Sequence, residues 1–124
     1  MASNININLR CDMNSPVKMQ YLDGSMFTYD NGGNTINVDV FDKGVPVTIT
    51  GDVTANVIRA DGGTVVVTGD KSSNRAFVIL PQAAYNVPGA VTIVIKVAEN
   101  STVMTIAALT AMVYPSKTAT IVST

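Results

Sequence analysis

Histidine and tryptophan are absent from this sequence, and cysteine occurs only once in its 124 residues. Histidine is the usual general base and a common metal ligand, so its absence removes the Ser-His and Cys-His arrangements of nucleophilic enzymes. Cys11 follows Arg10 but has no base partner, and we expect a quiet thiol without an internal disulfide, as in a reducing cytoplasm. We therefore predict no enzymatic activity, with no catalytic residue, no cofactor and no metal site.

Charged residues are also scarce, at 14% of the chain, against about 25% in typical soluble proteins. The lysines and arginines are scattered singly, so no basic patch exists to bind nucleic acid or a membrane surface. No apolar run is long enough to span a bilayer, and the first ten residues alternate in polarity, unlike a signal peptide. So little charge predicts a protein partly covered by other protein, although Asn, Thr and Ser side chains would also solvate a monomer.

Glycines and acidic residues mark turns in this sequence rather than a binding site. Residues 30–34 have the composition of a calcium loop, but they lack acids at alternate positions and a closing glutamate. The glycines also lack the spacing of a phosphate-binding loop. We interpret residues 23–24, 30–33, 42–44 and 61–63 as turns.

Apolar and polar residues alternate over much of the chain, which is the pattern of half-buried β-strands. The plainest case is the N-terminal segment, where Ile5, Ile7 and Leu9 alternate with asparagines. Further β-rich segments are residues 17–22, 36–40, 45–50, 53–60, 64–68, 75–80 and 91–97. Residues 102–114 are apolar on both faces and predict a central strand covered on each side, with a helix as the competing interpretation.

Turn residues between these segments complete the fold prediction. Asp61-Gly62 lies between two β-branched runs and should close a hairpin, and residues 81–86 should form one short helical turn that begins at a proline. The spacing predicts an all-β sandwich of about seven to nine short antiparallel strands. We expect a single domain over residues 1–124, in which residues 1–16 are a candidate docking arm or edge strand.

The N-terminal strand is the candidate site for binding a partner. Ile5, Ile7 and Leu9 give it one apolar side, which suits it to pairing with a sheet edge in a neighbouring protein. The alternative is that it pairs within its own domain, as most terminal strands do. Aromatic residues are only 6% of the chain, so no platform for stacking sugars or bases is evident.

Several segments carry a resemblance to known proteins. They are residues 6–12 (NINLRCD), 16–24 (PVKMQYLDG), 34–38 (NTINV), 44–47 (GVPV), 55–62 (ANVIRADG), 80–89 (LPQAAYNVPG), 93–96 (IVIK) and 105–108 (TIAA). Together they resemble the immunoglobulin-like N-terminal domain of the phage baseplate upper protein family, and similar domains that form the base of head fibres or decorate capsids. The resemblance covers roughly residues 4–122, and its motifs are structural rather than catalytic.

The resemblance implies a non-enzymatic virion protein, assembled in the bacterial host cytoplasm, that decorates the capsid or forms the base of a head fibre. Its partners would be the major capsid protein or a tail hub, together with further copies of itself, a trimer among the expected oligomers. Similar proteins continue into a fibrous extension, whereas this sequence stops at Thr124, which favours a decoration or fibre-base protein; a fragment of a longer protein would look the same. The alternatives are a tail baseplate component and, in another class, a carbohydrate-binding module for the cell wall.

Overall fold

The computed structural model describes residues 5–15, 19–27 and 34–114, and within them two β-sheets pack face to face. Sheet A contains β1 (Ile5–Asp12), β3 (Asn34–Asp42), β4 (Val45–Pro46), β7 (Asp70–Ser72) and β8 (Arg75–Ile79). Sheet B contains β2 (Met19–Phe27), β5 (Asp52–Ile58), β6 (Thr64–Thr68), β9 (Gly89–Glu99) and β10 (Thr102–Tyr114). The predicted all-β sandwich is confirmed.

Helical structure is limited in the described residues to one short 3₁₀ helix, Gln82–Ala84, between β8 and β9. It lies where the sequence predicts a helical turn, immediately after Pro81. No helix in these ranges is long and apolar enough to cross a membrane.

Alternation along the strands builds the core between the two sheets. In β9, Val91, Ile93, Ile95 and Val97 are buried, and the residues between them are half-buried. The largest fully buried side chains of the core include Tyr85, Ile36, Leu80, Ile93, Ile95 and Leu109. Because burial of one such aliphatic side chain stabilises a fold by about 1.5–3 kcal/mol, this layer supplies the main driving force for folding.

Strand direction differs from the prediction at two places. Sheet A has the order β1-β3-β8-β7, with β4 beside β3, and sheet B has the order β2-β10-β9-β5-β6. β1 pairs parallel with β3, and β2 pairs parallel with β10, so the expectation of purely antiparallel strands is wrong. The chain runs from β1 in sheet A to β2 in sheet B and back to β3 in sheet A. Parallel pairing of β1 with β3 requires a crossover of this kind, because a hairpin would make the two strands antiparallel. Alternation encodes which face is buried, but not the partner or its direction.

The number and bounds of the strands also differ. The described residues contain ten strands, more than predicted, because β4 and β7 have two and three residues, too few for a periodic pattern. Residues 47–50, predicted as strand, are not assigned to one. The predicted turn at Asp23-Gly24 lies inside β2, where the register against β10 shifts between Thr110 and Met112. This glycine therefore belongs to a bulge rather than a hairpin.

β10 is the strand, rather than the helix, that residues 102–114 were expected to form, but only one of its faces is covered. Leu109 and Val113 are buried, whereas Val103 and Met112 on the other face are exposed. The expectation of a strand covered on both sides is therefore wrong for the described residues. Several of its outward residues, among them Val103, Ala108 and Met112, are apolar, so hydrophobicity alone could not separate the two faces.

The two ends of the sandwich are closed by different elements. At the end that we call the Tyr85 end, the Leu80 N–H donates to the carbonyl oxygen of Asn34 (2.9 Å), and Tyr85 is completely buried. At the opposite end, the Met13 end, the Met13 N–H donates to the carbonyl oxygen of Phe41 (2.7 Å). The strand registers place the start of β1 and the end of β10 at the same Tyr85 end.

Candidate functional site: an uncharged outer sheet face

The predicted docking strand, β1, lies at an edge of sheet A and is paired along its length with β3. Leu9 is buried in the core and Ile7 packs against it, while the side chain of Ile5 lies outside the described part of the structure. The apolar side of this strand therefore faces the protein's own core. Docking through β1 stays a prediction, and it now concerns the backbone edge that faces away from β3.

Cys11 also belongs to the core, and its surroundings explain a quiet thiol. The side chain is buried between the sheets. Burial, followed by the charge of neighbouring Asp12, raises the pKa of the Cys11 thiol above its ordinary value. A thiol that stays protonated and covered is a poor nucleophile.

Asp12 joins the end of β1 to the turn between β3 and β4. Its carboxylate accepts hydrogen bonds from the backbone N–H groups of Asn14 (3.0 Å), Lys43 (3.1 Å) and Gly44 (3.1 Å). These bonds, that of Asn14 foremost, lower the pKa of Asp12. The carboxylate is an acceptor for the protein's own backbone, so its role is structural.

The outer face of sheet A carries charged side chains, among them an ion pair between Arg75 and Asp39. Arg75 donates two hydrogen bonds to Asp39, at 2.7 and 3.1 Å, and hydrogen bonding by Arg75 is the main reason that the pKa of Asp39 is lowered. The Arg10 guanidinium lies 3.8 Å from the centre of the Phe41 ring. Among the side chains that the structure describes, no group of three or more His, Cys, Asp or Glu is arranged to hold a metal ion.

Asp61 performs a similar local task in the hairpin between β5 and β6. It accepts the Gly63 N–H (2.8 Å) and the Arg59 Nε–H (3.2 Å), and the first contact is the main cause of its lowered pKa. Gly62 in this turn has a φ of 86°, which glycine adopts without strain. The predicted hairpin at Asp61-Gly62 is confirmed.

The outer face of sheet B has a different character, because its described side chains are almost all uncharged. Residues between the buried positions of each strand point away from the core. We define the neutral face by the outward side chains Met19, Tyr21, Asn56, Ile58, Thr64, Val66, Ala90, Thr92, Val94, Ala108, Thr110 and Met112. The charged outward residues Lys96 and Asp52 lie towards its margin at the Met13 end.

Large apolar side chains on the neutral face remain open to solvent. Tyr21 is 80% exposed and Val66 is 68% exposed, and Ile58, Met19 and Met112 are also exposed. The strand register places them on one continuous surface that extends from β2 across β10, β9 and β5 to β6. Extended apolar patches are uncommon on monomeric soluble proteins and mark interaction sites.

The chemistry of this face suits contact with an uncharged surface. Its side chains offer hydroxyl, amide, methyl and thioether groups, none of which is a general acid or base at neutral pH. A charged partner would lose water there without gaining an ion pair, so an uncharged surface is favoured. The outer face of sheet A carries charged side chains and therefore does not share this preference for an uncharged partner.

An open pocket of about 320 Å³ lies at the Met13 end, beside the hairpin that joins β9 to β10. It is lined by Met13, Val97, Glu99, Asn100, Thr102 and Met104. The lining is mainly apolar, with one carboxylate at Glu99. The pocket has room for an apolar side chain, and the described residues around it contain no nucleophile–base pair.

Comparison with known proteins supports the architecture. No family model matches this chain, and no curated protein sequence matches it. Among solved structures, the N-terminal domain of phage TP901-1 ORF48 has a similar fold, with a TM-score of 0.55 and 10% sequence identity. The match covers 87% of this chain and 97% of that chain. At this identity the likeness shows a shared fold.

The neutral face is the feature that the sequence interpretation missed. Alternation predicts β5, β6 and β9 as strands and indicates which of their positions are buried. The available signal was on the alternate positions, where Asn56, Ile58, Thr92 and Val94 carry no charge. Joining these positions into one surface required the strand order, which the sequence does not give.

Proposed function

We propose that this chain is a non-enzymatic structural protein of a bacteriophage virion, which decorates the capsid or forms the base of a head fibre through protein–protein contacts. The observation that carries the proposal is the overlap of nearly the whole fold with a phage protein domain. The neutral face supplies a binding surface for such a role, and the paired acids of the described residues have structural partners.

The partner in this proposal is a virion protein that presents an uncharged surface to the neutral face. A charged group on that partner would be desolvated without a counter-charge, which costs free energy. The backbone edge of β1, the predicted docking strand, is a second contact in the same proposal, and a strand added there would have to accommodate the charges of Arg10 and Asp12. The charged outer face of sheet A would then face water.

A tail position, in a baseplate of the upper-protein type, is the alternative location. The experiment that separates the two is immunogold electron microscopy of intact virions, combined with blotting of purified heads that lack tails. Label on heads is expected. Label confined to the tail tip would move the protein to the baseplate, and its absence from purified virions would refute a virion role.

Substitutions on the part of the neutral face formed by β2 and β10 test the docking surface. Tyr21→Glu and Met112→Glu place a carboxylate where the partner is expected to be uncharged, so we expect each to weaken particle binding by about tenfold or more. Ile79→Glu makes the same change at an exposed apolar position on the outer face of sheet A, and it is the matched control. Equal binding by all three variants, measured by co-sedimentation with particles, would remove the neutral face from the proposal.

Carbohydrate binding is a weaker alternative on structural grounds. A sugar site usually combines several aromatic side chains with converging polar groups. Among the aromatic side chains that the structure describes, Tyr21 is the exposed one, whereas Phe41 and Phe77 are half-buried and Tyr85 is buried. We expect no binding on a cell-wall glycan array, and specific binding that is lost in Tyr21→Ala would favour this alternative.

A further inference from the structure

The strand orders of the two described sheets end in four edge strands, β1, β7, β2 and β6, and the two-residue β4, which contains a proline, also has one neighbour; all of these except β6 carry features that discourage pairing with another chain. β7 has three residues, including Asp70 and Lys71. β1 carries Arg10 and Asp12. β2 is interrupted by its bulge opposite β10. Short length, charge and irregularity are the usual means by which proteins protect an edge.

β6, the fourth edge, has none of these protections. Its sequence is Thr-Val-Val-Val-Thr, with no charge and no proline, and its pairing with β5 has no register shift. β5 is its only neighbour among the strands that the structure describes. Thr64, Val66 and Thr68 are all exposed. An uncharged β-branched edge of this kind is a ready template for another strand.

The hydrogen bonds at both ends of β6 show which of its backbone groups face outward. The Arg59 N–H donates to the carbonyl oxygen of Gly63 (2.8 Å), and the Gly69 N–H donates to the carbonyl oxygen of Val53 (2.8 Å). Hydrogen-bonded and non-bonded positions alternate along an antiparallel pair. Positions 63, 65, 67 and 69 therefore face β5. The outward-facing backbone groups belong to Thr64, Val66 and Thr68.

The sequence of β6 reads the same in both directions, and this indicates what pairs with it. When two copies of β6 lie antiparallel about Val66, threonine faces threonine and valine faces valine at every position. Threonine pairs and β-branched pairs are favourable across strands. A strand without charge also meets its own copy without repulsion, and the two-fold arrangement closes with two subunits.

We infer that β6 of one copy pairs antiparallel with β6 of a second copy, about a two-fold axis at Val66. Val66 would exchange two backbone hydrogen bonds with Val66 of the second copy. Thr64 would exchange two with Thr68 of the second copy, and Thr68 would exchange two with Thr64 of the second copy. The two B sheets become one continuous ten-stranded sheet. The neutral faces of both copies then lie on the same side of it and form one larger surface.

The contact is small, so its strength is limited. An edge of five residues buries less than the roughly 1,200 Å² of a standard interface, and we expect a dissociation constant in the range of about 1 μM to 1 mM. Sedimentation velocity over this concentration range is the first measurement. A monomer at about 1 mM overturns the inference.

Val66→Pro is the most direct variant, because it removes an outward N–H and leaves the bonds to β5 in place. We expect it to raise the dissociation constant of the dimer by about tenfold or more, while its circular dichroism spectrum keeps the β-sheet signal of the parent. Val66→Lys adds a charge at the same point and should have the same effect even if the proline variant fails to fold. Dimerisation that survives both substitutions overturns the inference.

Two controls separate the strand edge from a general change in surface chemistry. Val66→Thr keeps a β-branched side chain and all backbone groups, so it should dimerise as the parent does. Ile79→Lys makes the lysine substitution at a 54% exposed position on sheet A and should also leave the dimer intact. Equal loss of dimer in Ile79→Lys would point to non-specific association and contradict the edge pairing.

A cross-link at the axis tests the register itself. In a hydrogen-bonded antiparallel pair the facing Cα atoms are about 5.5 Å apart, which is within the range of a disulfide. Val66→Cys should therefore form a covalent dimer under mild oxidation, whereas Ile79→Cys should not. Cross-linking of both, or of neither, overturns the proposed pairing, and none of these results depends on where the protein lies in a virion.

Discussion

At the scale of single residues, the carboxylates of Asp12, Asp39 and Asp61 act as acceptors for the protein's own donors. Asp61 lies in a turn, as its sequence context predicts, and its partners Arg59 and Gly63 are close in the chain. The hydrogen bond that Asp12 accepts from the Lys43 N–H could not be predicted in this way, because Lys43 is distant in sequence and approaches only when β1 pairs with β3. Local patterns predict local hydrogen bonds, and they carry no information about distant ones.

Asp39 and Arg75 give a prediction at this scale. Because Arg75 lowers the pKa of Asp39 below its ordinary value of 3.8, the pair stabilises the fold above that pH, and the contribution is lost as the pH falls through the lower folded-state pKa. Asp39→Asn should reduce stability at neutral pH and flatten its decline in acid. Urea unfolding across this pH range measures the effect. Arg75→Gln should also flatten the decline in stability over this pH range. An unchanged decline in acid in both variants would contradict a stabilising role for the pair.

At the scale of elements, turns were predicted where the residue type itself allows an unusual backbone. Lys43 and Gly44 both have positive φ, 51° and 81°, in the turn that joins β3 to β4. Glycine adopts this conformation freely, whereas lysine does so at a cost of about 1–2 kcal/mol. The turn was expected from Gly44, but the strained Lys43 was not.

Lys43→Asn should stabilise the protein for this reason. Asparagine followed by glycine is the preferred pair for such a hairpin turn, and we expect a gain of about 0.5–1 kcal/mol in the free energy of unfolding. Thermal and urea unfolding measure the change. Gly44→Ala is the opposing variant, since a side chain there meets no steric obstacle but must adopt the positive φ, and it should destabilise. A destabilised Lys43→Asn would contradict the strain argument.

The same limits apply to the candidate site. Alternation in β9 correctly separates Val91, Ile93 and Ile95 from the residues between them, so one face of each strand was predictable. The neutral face depends on which strands are neighbours, and this is decided by packing between residues that are distant in the chain. The apolar residue Met112 illustrates the difficulty, because it is exposed on a strand that hydrophobicity places wholly in the interior.

At the scale of the whole molecule, both sheets depend on pairings between distant parts of the chain. β1 must find β3 after the chain has passed through sheet B, and β2 must find β10, with Met19 opposite Ala108. Bringing such distant segments together costs conformational entropy before the strands make any stabilising contact. The parallel β2–β10 pair therefore controls how readily the complete sheet B forms.

We accordingly expect slow folding, on the order of milliseconds to seconds, as for other domains dominated by non-local strand pairs. Stopped-flow refolding from urea, followed by tyrosine fluorescence, measures the rate. Folding within microseconds would show that local hairpins such as β5–β6 and β9–β10 determine the barrier instead.

The common position of the start of β1 and the end of β10 has a practical consequence. Reporters attached at the first residue of β1 and the last residue of β10 would both lie at the Tyr85 end, so a donor and acceptor dye pair should give efficient energy transfer in the folded state and lose it on unfolding. The pocket beside Met13 and Glu99 lies at the opposite end. A surface or bead attached at either of these strand ends would thus present that pocket to the solution.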